Sequence, residues 1–111
     1  MKISDNPNTD EAETEVLHTG LHHAREPMGA MQMIFYMYYL CENYNTDPEV
    51  KYIVDHSEQY FIPLVNPDGY LFNQTTNPSG GGMWRKNRRL NSDGSYGVDL
   101  NRNYGYQWGY D

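Results

Sequence analysis

The chain has 111 residues, which is the length of one small domain. Hydrophobic residues make up 38% of it and the mean hydropathy is -0.87, but 11 Tyr and 2 Trp supply apolar surface that a disordered chain lacks. A formal net charge of -7 argues against a general binder of nucleic acid or of anionic membranes, because such proteins carry a surplus of Lys and Arg. The composition predicts a globular protein with no nucleic acid and no membrane among its partners.

Positive charge is concentrated in one part of this acidic chain. The basic residues between positions 85 and 102 are Arg85, Lys86, Arg88, Arg89 and Arg102. Their clustering predicts a site for a small anionic ligand. Within the cluster, Lys86, Arg88 and Arg89 are interpreted as a solvated loop face, because charge runs in loops usually face water.

The first residues contain no apolar segment of the kind that forms an export signal, and the apolar run 28–41 is too short to span a bilayer. We therefore expect no signal peptide and no membrane anchor in this sequence. Cys41 is the single cysteine, so an intrachain disulfide is excluded and its side chain is expected in the core.

The first half of the chain predicts one strand and two helices. Residues 14–21 alternate loosely between apolar and polar types, which is typical of a strand. Pro27 suits the first position of a helix that continues to Tyr44 and is apolar on nearly every side, so we expect this helix to be buried against a sheet. Asp47 is a suitable N-cap for a second, shorter helix that ends near His56.

The second half predicts two strands separated by a long loop. Residues 60–65 form a buried strand, although Pro63 removes one ladder donor, and residues 66–69 form a turn. Residues 72–96 show no periodicity and are interpreted as a functional loop, and residues 97–100 as a last strand. This order of elements predicts an α/β fold in which helices lie on the faces of a mixed, mostly parallel sheet.

Polar clusters follow each predicted strand, at residues 22–26, 66–68 and 99–103. Open α/β sheets bind ligands beyond the carboxyl ends of their strands, so these clusters are expected to converge. His23 and Glu26 are spaced to share one metal ion, but the spacing alone fits a solvated loop with a capping Glu equally well. Glu26 is an unusual N-cap residue, which favours metal binding.

Two arginines are candidates for contact with a substrate. Arg102 beside Asn101 offers a charge-assisted contact to a carboxylate, and Arg85 offers a guanidinium that can stabilise an oxyanion. The alternative for each is an ordinary surface arginine.

Four ordered blocks, at residues 20–27, 66–70, 84–88 and 97–104, resemble the zinc metallocarboxypeptidases of the carboxypeptidase A type. The closing residues 103–109 look most like the bacterial carboxypeptidase T branch. The resemblance implies that residues 1–111 are the amino-terminal part of a single metallocarboxypeptidase catalytic domain, with one Zn2+ in the complete domain. It implies the following roles: His23 and Glu26 as zinc ligands, Asp99 as the acid that orients the zinc histidine, Arg85 as the catalytic, polarising arginine, Asn101 and Arg102 as the clamp on the substrate carboxylate, and Arg25 as a residue lining the cleft.

The implied activity is removal of the C-terminal residue of peptides or proteins, in an extracellular location. The family also uses a third zinc ligand, a substrate-binding tyrosine and a glutamate general base, all of which follow the Asn-Arg clamp, and no histidine follows His56 here. We therefore predict that this chain alone is inactive.

Two other functions are compatible with parts of the sequence. One is a non-catalytic module that binds an anionic ligand or a sugar through the basic cluster and the tyrosines, with no need for metal. The other is a related zinc acyl-amino-acid deacylase, which shares the His-x-x-Glu spacing. The residues Ala24-Arg25 and Trp84-Arg85 argue against the deacylase.

Overall fold

The computed structural model describes residues 1–110 as two compact units. We call the first the sheet unit (residues 1–20 and 30–63) and the second the site unit (residues 21–29 and 64–110). The strands are β1 (Lys2–Ile3), β2 (Thr14–Thr19) and β3 (Ser57–Ile62), and the helices are α1 (Met28–Asn43), α2 (Pro48–Asp55) and α3 (Pro67–Thr76), followed by a 3-10 helix at Leu100–Arg102. The predicted mixed α/β fold is confirmed.

The sheet has the order β1-β3-β2, with β3 in the centre. Strands β2 and β3 are parallel and in register from Thr14 opposite Ser57 to Thr19 opposite Ile62. The short β1 pairs with β3 in the antiparallel direction. Strand β3 ends before Pro63, so the proline that was predicted inside this strand interrupts no ladder.

The core of the sheet unit is a cluster of the fully buried side chains Leu40, Val50, Val54 and Phe61. Two of them come from α2, whose predicted cap is observed: the Asp47 carboxylate accepts hydrogen bonds from the backbone N–H of residue 49 at 2.9 Å and of residue 50 at 3.4 Å. The amphipathic pattern of α2 therefore gave both its start and its buried face correctly.

Helix α1 packs against the sheet as predicted, but it is buried on one side only. Leu40 packs in the core, but Met31, Phe35 and Tyr38 are 58%, 64% and 65% exposed. The prediction of a core position for Cys41 was wrong, because its side chain is exposed. A uniformly apolar helix indicates burial without indicating which side is covered.

A buried carboxylate joins the strands of the sheet unit to the amino-terminal segment. Glu58 has no exposed surface, and it accepts hydrogen bonds from Lys2 Nζ at 2.5 Å, Tyr60 Oη at 2.7 Å and the Glu11 backbone N–H at 2.8 Å. These contacts, led by that from Lys2, lower the pKa of Glu58 to about 2. The same pairing raises the pKa of Tyr60 to about 12.

Two predictions for the second half of the chain were wrong. Residues 67–76 form α3, where a turn and the start of a loop were expected. The sequence gave little sign of this helix, because Gly, Asn and Thr are weak helix formers. Among the described residues, 97–100 form no strand; an isolated bridge joins Leu90 to Tyr96, and the chain then enters the 3-10 helix.

Among the described residues, every helix is too short or too polar to span a bilayer.

Candidate metal and substrate site

The segment that carries His23 is irregular. Strand β2 ends at Thr19 and Leu21 has a φ of 55°, so the alternation of side chains along the strand does not reach His22 and His23. The backbone N–H of Ala24 donates to the Arg85 carbonyl at 3.0 Å, which holds the turn against a distant segment. His23 is buried in this turn with only 7% of its surface exposed.

His23 and Glu26 face each other across a tight turn, which the Glu26 backbone N–H closes by donating to the His23 carbonyl at 3.0 Å. The Nδ1 atom of His23 lies 3.1 Å from the Oε2 atom of Glu26. Two ligands of a tetrahedral zinc ion at about 2.0–2.1 Å from the metal are roughly 3.3 Å apart, so the pair fits a shared ion after a shift of a few tenths of an ångström. Among residues 1–110, no third His, Cys, Asp or Glu lies close enough to complete a group of three possible ligands with this pair.

The other ring nitrogen of His23 contacts Asp99. Its Nε2 atom lies 3.1 Å from the Oδ1 atom of Asp99, although the two residues are 76 positions apart. A carboxylate at this position accepts a hydrogen bond from a protonated Nε2 atom. This leaves Nδ1 without a proton and therefore available to a metal. Asp99 therefore orients the imidazole so that Nδ1 faces the Glu26 carboxylate.

Arg85 completes a chain of four side chains. Its Nε atom donates to Asp99 Oδ2 at 2.9 Å, and its Nη1 atom lies 3.8 Å from Glu26 Oε1. Burial tends to raise the pKa of Asp99, but the hydrogen bonds from Arg85 and His23 outweigh burial and hold that pKa below its ordinary value. Asp99 is therefore an anion at neutral pH, paired with the guanidinium of Arg85.

Asn66 was predicted to lie in a turn and in one of the converging polar clusters, but its role as a buried link between segments was not predicted. Its side chain is fully buried, and its Nδ2 atom donates to the His22 carbonyl at 3.0 Å and to the Arg85 carbonyl at 3.3 Å. Its Oδ1 atom accepts from the Gly69 backbone N–H at 3.1 Å, which caps α3. One amide thus joins three segments, and the only sequence signal was the preference of Asn for positions before Pro.

Asn73 was likewise placed in a loop and proved to be a structural contact. Its Nδ2 atom donates to the Trp84 carbonyl at 2.8 Å, and its Oδ1 atom accepts from the Trp84 backbone N–H at 2.9 Å. This two-way contact attaches the backbone beside Arg85 to α3. Gly69 lets the same segments approach, because a Cβ atom there would lie 2.5 Å from the Lys86 carbonyl oxygen.

The predicted clamp residues lie next to Asp99 along the chain. The Asn101 backbone N–H donates to Asp99 Oδ1 at 3.1 Å, so Asp99 caps the 3-10 helix that carries Asn101 and Arg102. Both clamp side chains are exposed, and Arg102 Nη1 donates to the Asn101 carbonyl at 2.9 Å. The guanidinium of Arg102 is held by its own neighbour rather than by the His23 cluster.

Arg25 lies at an open cleft of about 400 Å³, with Tyr70 and Gln74 among its lining residues. The His22 imidazole forms a hydrogen bond with the hydroxyl of Tyr104, just beyond the clamp. In the described chain, His23, Glu26, Asp99 and Arg85 are joined by side-chain contacts, whereas no such contact links Arg25, Asn101 or Arg102 to them.

Comparison with known proteins gives one consistent result. A family model described as zinc carboxypeptidase matches residues 1–111. The zinc carboxypeptidase of Saccharothrix mutabilis subsp. capreolus is 44% identical over 109 residues, which are 98% of this chain and 24% of that protein. The metallocarboxypeptidase A of Trichophyton tonsurans is 40% identical over 94 residues, covering 84% of this chain and 21% of that protein.

A solved structure has a similar fold. The crystal structure of carboxypeptidase A from Helicoverpa armigera matches with a TM-score of 0.76 and 30% identity, over 97% of this chain and 25% of that one. The chain thus spans about a quarter of the length of these relatives. Since the family model matches the whole sequence, this chain belongs to the zinc carboxypeptidase family.

Proposed function

We propose that this chain is the amino-terminal part of a single catalytic domain that removes the C-terminal residue of peptides, in an extracellular zinc metallocarboxypeptidase. The observation that carries the proposal is the imidazole of His23, whose two ring nitrogens lie 3.1 Å from Glu26 and 3.1 Å from Asp99. A histidine oriented by one carboxylate and facing a second one is the arrangement of a zinc ligand with its supporting acid.

In this proposal His23 and Glu26 hold the metal. When bound, zinc polarises a carbonyl and lowers the pKa of a bound water. Asp99 keeps the proton of His23 on Nε2, and Arg85 stabilises negative charge that develops on the scissile carbonyl oxygen. Arg85 is suited to this role because Asp99 fixes it through Nε, while its Nη1 atom extends to within 3.8 Å of the Glu26 carboxylate.

Asn101 and Arg102 bind the free carboxylate of the substrate, and Arg25 lines the cleft farther from the scissile bond. The position of the pair supports this assignment, because the Asn101 backbone N–H donates to Asp99 Oδ1 at 3.1 Å and the next residue, Arg102, carries a planar guanidinium that suits a bidentate contact with a carboxylate. Recognition of a chain terminus restricts cleavage to the last peptide bond, so peptide and protein C-termini are the substrates.

A catalytic zinc needs three protein ligands and an open position, and residues 1–110 bring two candidate ligands together at the site. The chain alone is therefore inactive, and the third ligand and the general base come from a further part of the domain. The match of the whole chain to the zinc carboxypeptidase family model weakens the competing hypothesis of a non-catalytic anionic-ligand module. The names of the relatives support a carboxypeptidase over a deacylase.

Zinc titration of this chain by calorimetry tests the proposal. We expect weak binding that His23→Ala abolishes and that Asp99→Asn weakens by about 10- to 100-fold, because the orienting hydrogen bond is lost. His56→Ala is the matched control, since His56 is exposed and its Nδ1 atom contacts only the Tyr52 carbonyl, at 2.9 Å, among the described residues. Zinc binding that persists unchanged in His23→Ala contradicts the proposal.

A further inference from the structure

The guanidinium of Arg88 is enclosed by three aromatic rings. Its central carbon lies 3.8 Å from the ring centroid of Phe72, 4.4 Å from that of Trp84 and 4.5 Å from that of Tyr96. The prediction that Arg88 belongs to a solvated loop face was therefore wrong, whereas its neighbour Arg89 is exposed as predicted. A planar cation surrounded by ring faces is a strongly attractive arrangement, because each face carries negative charge density.

The three rings come from three different parts of the site unit. Phe72 lies on α3, Trp84 lies at the start of the segment 84–98, and Tyr96 lies near its end. The backbone N–H of Arg88 also donates to Asp68 Oδ2 at 2.7 Å, which adds a second attachment to α3. Arg88 thus holds both ends of this segment against one helix.

The ends of the segment carry the residues that meet in the candidate site. Arg85 follows Trp84, and Asp99 comes three residues after Tyr96. Between them, the Asn87 backbone N–H donates to the Val98 carbonyl at 3.1 Å, and the Val98 N–H donates to Asn87 Oδ1 at 2.8 Å. The cage and these two hydrogen bonds hold the two ends of the segment close together in space, and so bring Arg85 next to Asp99.

We propose that Arg88 is a positioning residue, whose aromatic cage holds the Arg85 guanidinium against Asp99 and thereby keeps His23 turned toward Glu26. The cage requires a planar cation: a methionine fills the space without the charge, and a lysine keeps the charge without a flat surface that packs on three rings. The importance of this positioning for catalysis rests on the proposed function, but the contact between Arg85 and Asp99 can be measured without activity or metal.

The test is the solvent exchange rate of the Arg85 Nε–H group, followed by NMR in the metal-free chain. In the native protein this group donates to Asp99 Oδ2 at 2.9 Å, so we expect it to exchange slowly. We expect Arg88→Met to raise its exchange rate by about tenfold and Arg88→Lys by less, because the cation–π attraction is lost or reduced. Arg89→Met is the matched control, since it removes an exposed guanidinium from the next position and leaves the rate unchanged.

An internal reference separates positioning from a general loss of stability. The Gly69 backbone N–H, which donates to Asn66, belongs to the same unit, and its exchange rate is expected to change much less than that of Arg85 in Arg88→Met. Equal acceleration of both groups, or no acceleration of Arg85, overturns the proposal.

A second variant covers the case in which Arg88→Met does not fold. Tyr96→Leu removes one ring that is already 47% exposed, and we expect a smaller but selective acceleration at Arg85. An unchanged rate in Tyr96→Leu then overturns the proposal. The exchange measurement does not depend on zinc. The zinc titration can therefore contradict the proposed function without contradicting the positioning role of Arg88.

Discussion

The two units of this chain are stabilised in different ways. The sheet unit has regular strands and helices and a core of four buried apolar side chains. The site unit has one α-helix, one short 3-10 helix and long irregular segments, and its buried side chains include the amides of Asn66 and Asn73 and the imidazole of His23. Apolar packing dominates the first unit, and directional hydrogen bonds between distant segments dominate the second.

This difference determines how each unit responds to substitution. An apolar core tolerates changes of similar volume, because the hydrophobic effect has no preferred direction. A buried amide with partners at both its oxygen and its nitrogen tolerates no such exchange, because each lost contact leaves a buried polar group without a partner. The hydrogen bonds of the site unit therefore fix its geometry closely, and substitutions at its buried amides are poorly tolerated.

The largest expected effect is a loss of stability in the sheet unit. Phe61 is 1% exposed and packs with Leu40 in the core, so Phe61→Ala is expected to lower the free energy of unfolding by about 3–5 kcal/mol. Urea unfolding followed by circular dichroism measures the change. Phe35→Ala is the control, since this ring is 64% exposed and its loss should cost less than about 0.5 kcal/mol. Similar losses in both variants would show that the apolar core does not dominate this unit.

A smaller and more local effect is expected in the site unit. Asn66→Ala removes the donor to the His22 carbonyl, one of the two donors to the Arg85 carbonyl and the acceptor of the Gly69 N–H, and we expect a loss of about 3 kcal/mol. Hydrogen exchange of amides in residues 64–98, compared with those of the sheet unit, measures where the loss occurs.

The matched variant is Asn66→Asp, which keeps an acceptor for the Gly69 N–H but loses the donor to the two carbonyls. It should retain the cap of α3 and release the segment at Arg85. Uniform destabilisation of both units by Asn66→Ala would contradict the local role assigned to this amide.

The most gradual expected effect is a pH dependence of the sheet unit. The pKa of Glu58 is about 2 in the folded protein, below the ordinary 4.5, so the carboxylate stabilises the fold fully above about pH 4.5. This contribution is lost as the pH falls from about 4.5 to about 2, because the unfolded chain then takes up the proton first. The midpoint of urea unfolding should decrease over this range, and Glu58→Gln should reduce the decrease. An unchanged pH dependence in Glu58→Gln would show that other carboxylates are responsible.

Local patterns predicted the elements of the sheet unit well. Asp47 and the apolar stripe gave α2, and the alternation of residues 14–21 gave β2, because these signals depend on residues within a few positions of one another. The same reasoning failed for α3, whose composition is weakly helical and which is stabilised by the amides of Asn66 and Asn73. It also failed for residues 97–100, where side-chain contacts replace a strand ladder.

By itself, the sequence determined that an imidazole and a carboxylate lie three residues apart beside a helix start, and its motifs indicated the family. Only the tertiary structure decided that Asp99 contacts both His23 and Arg85, that Asn66 joins three segments and that Arg88 is enclosed by aromatic rings. Periodicity and capping report neighbours along the chain, whereas hydrogen bonds and cation–π contacts between residues as far apart as 23 and 99 depend on how irregular segments fold back on one another.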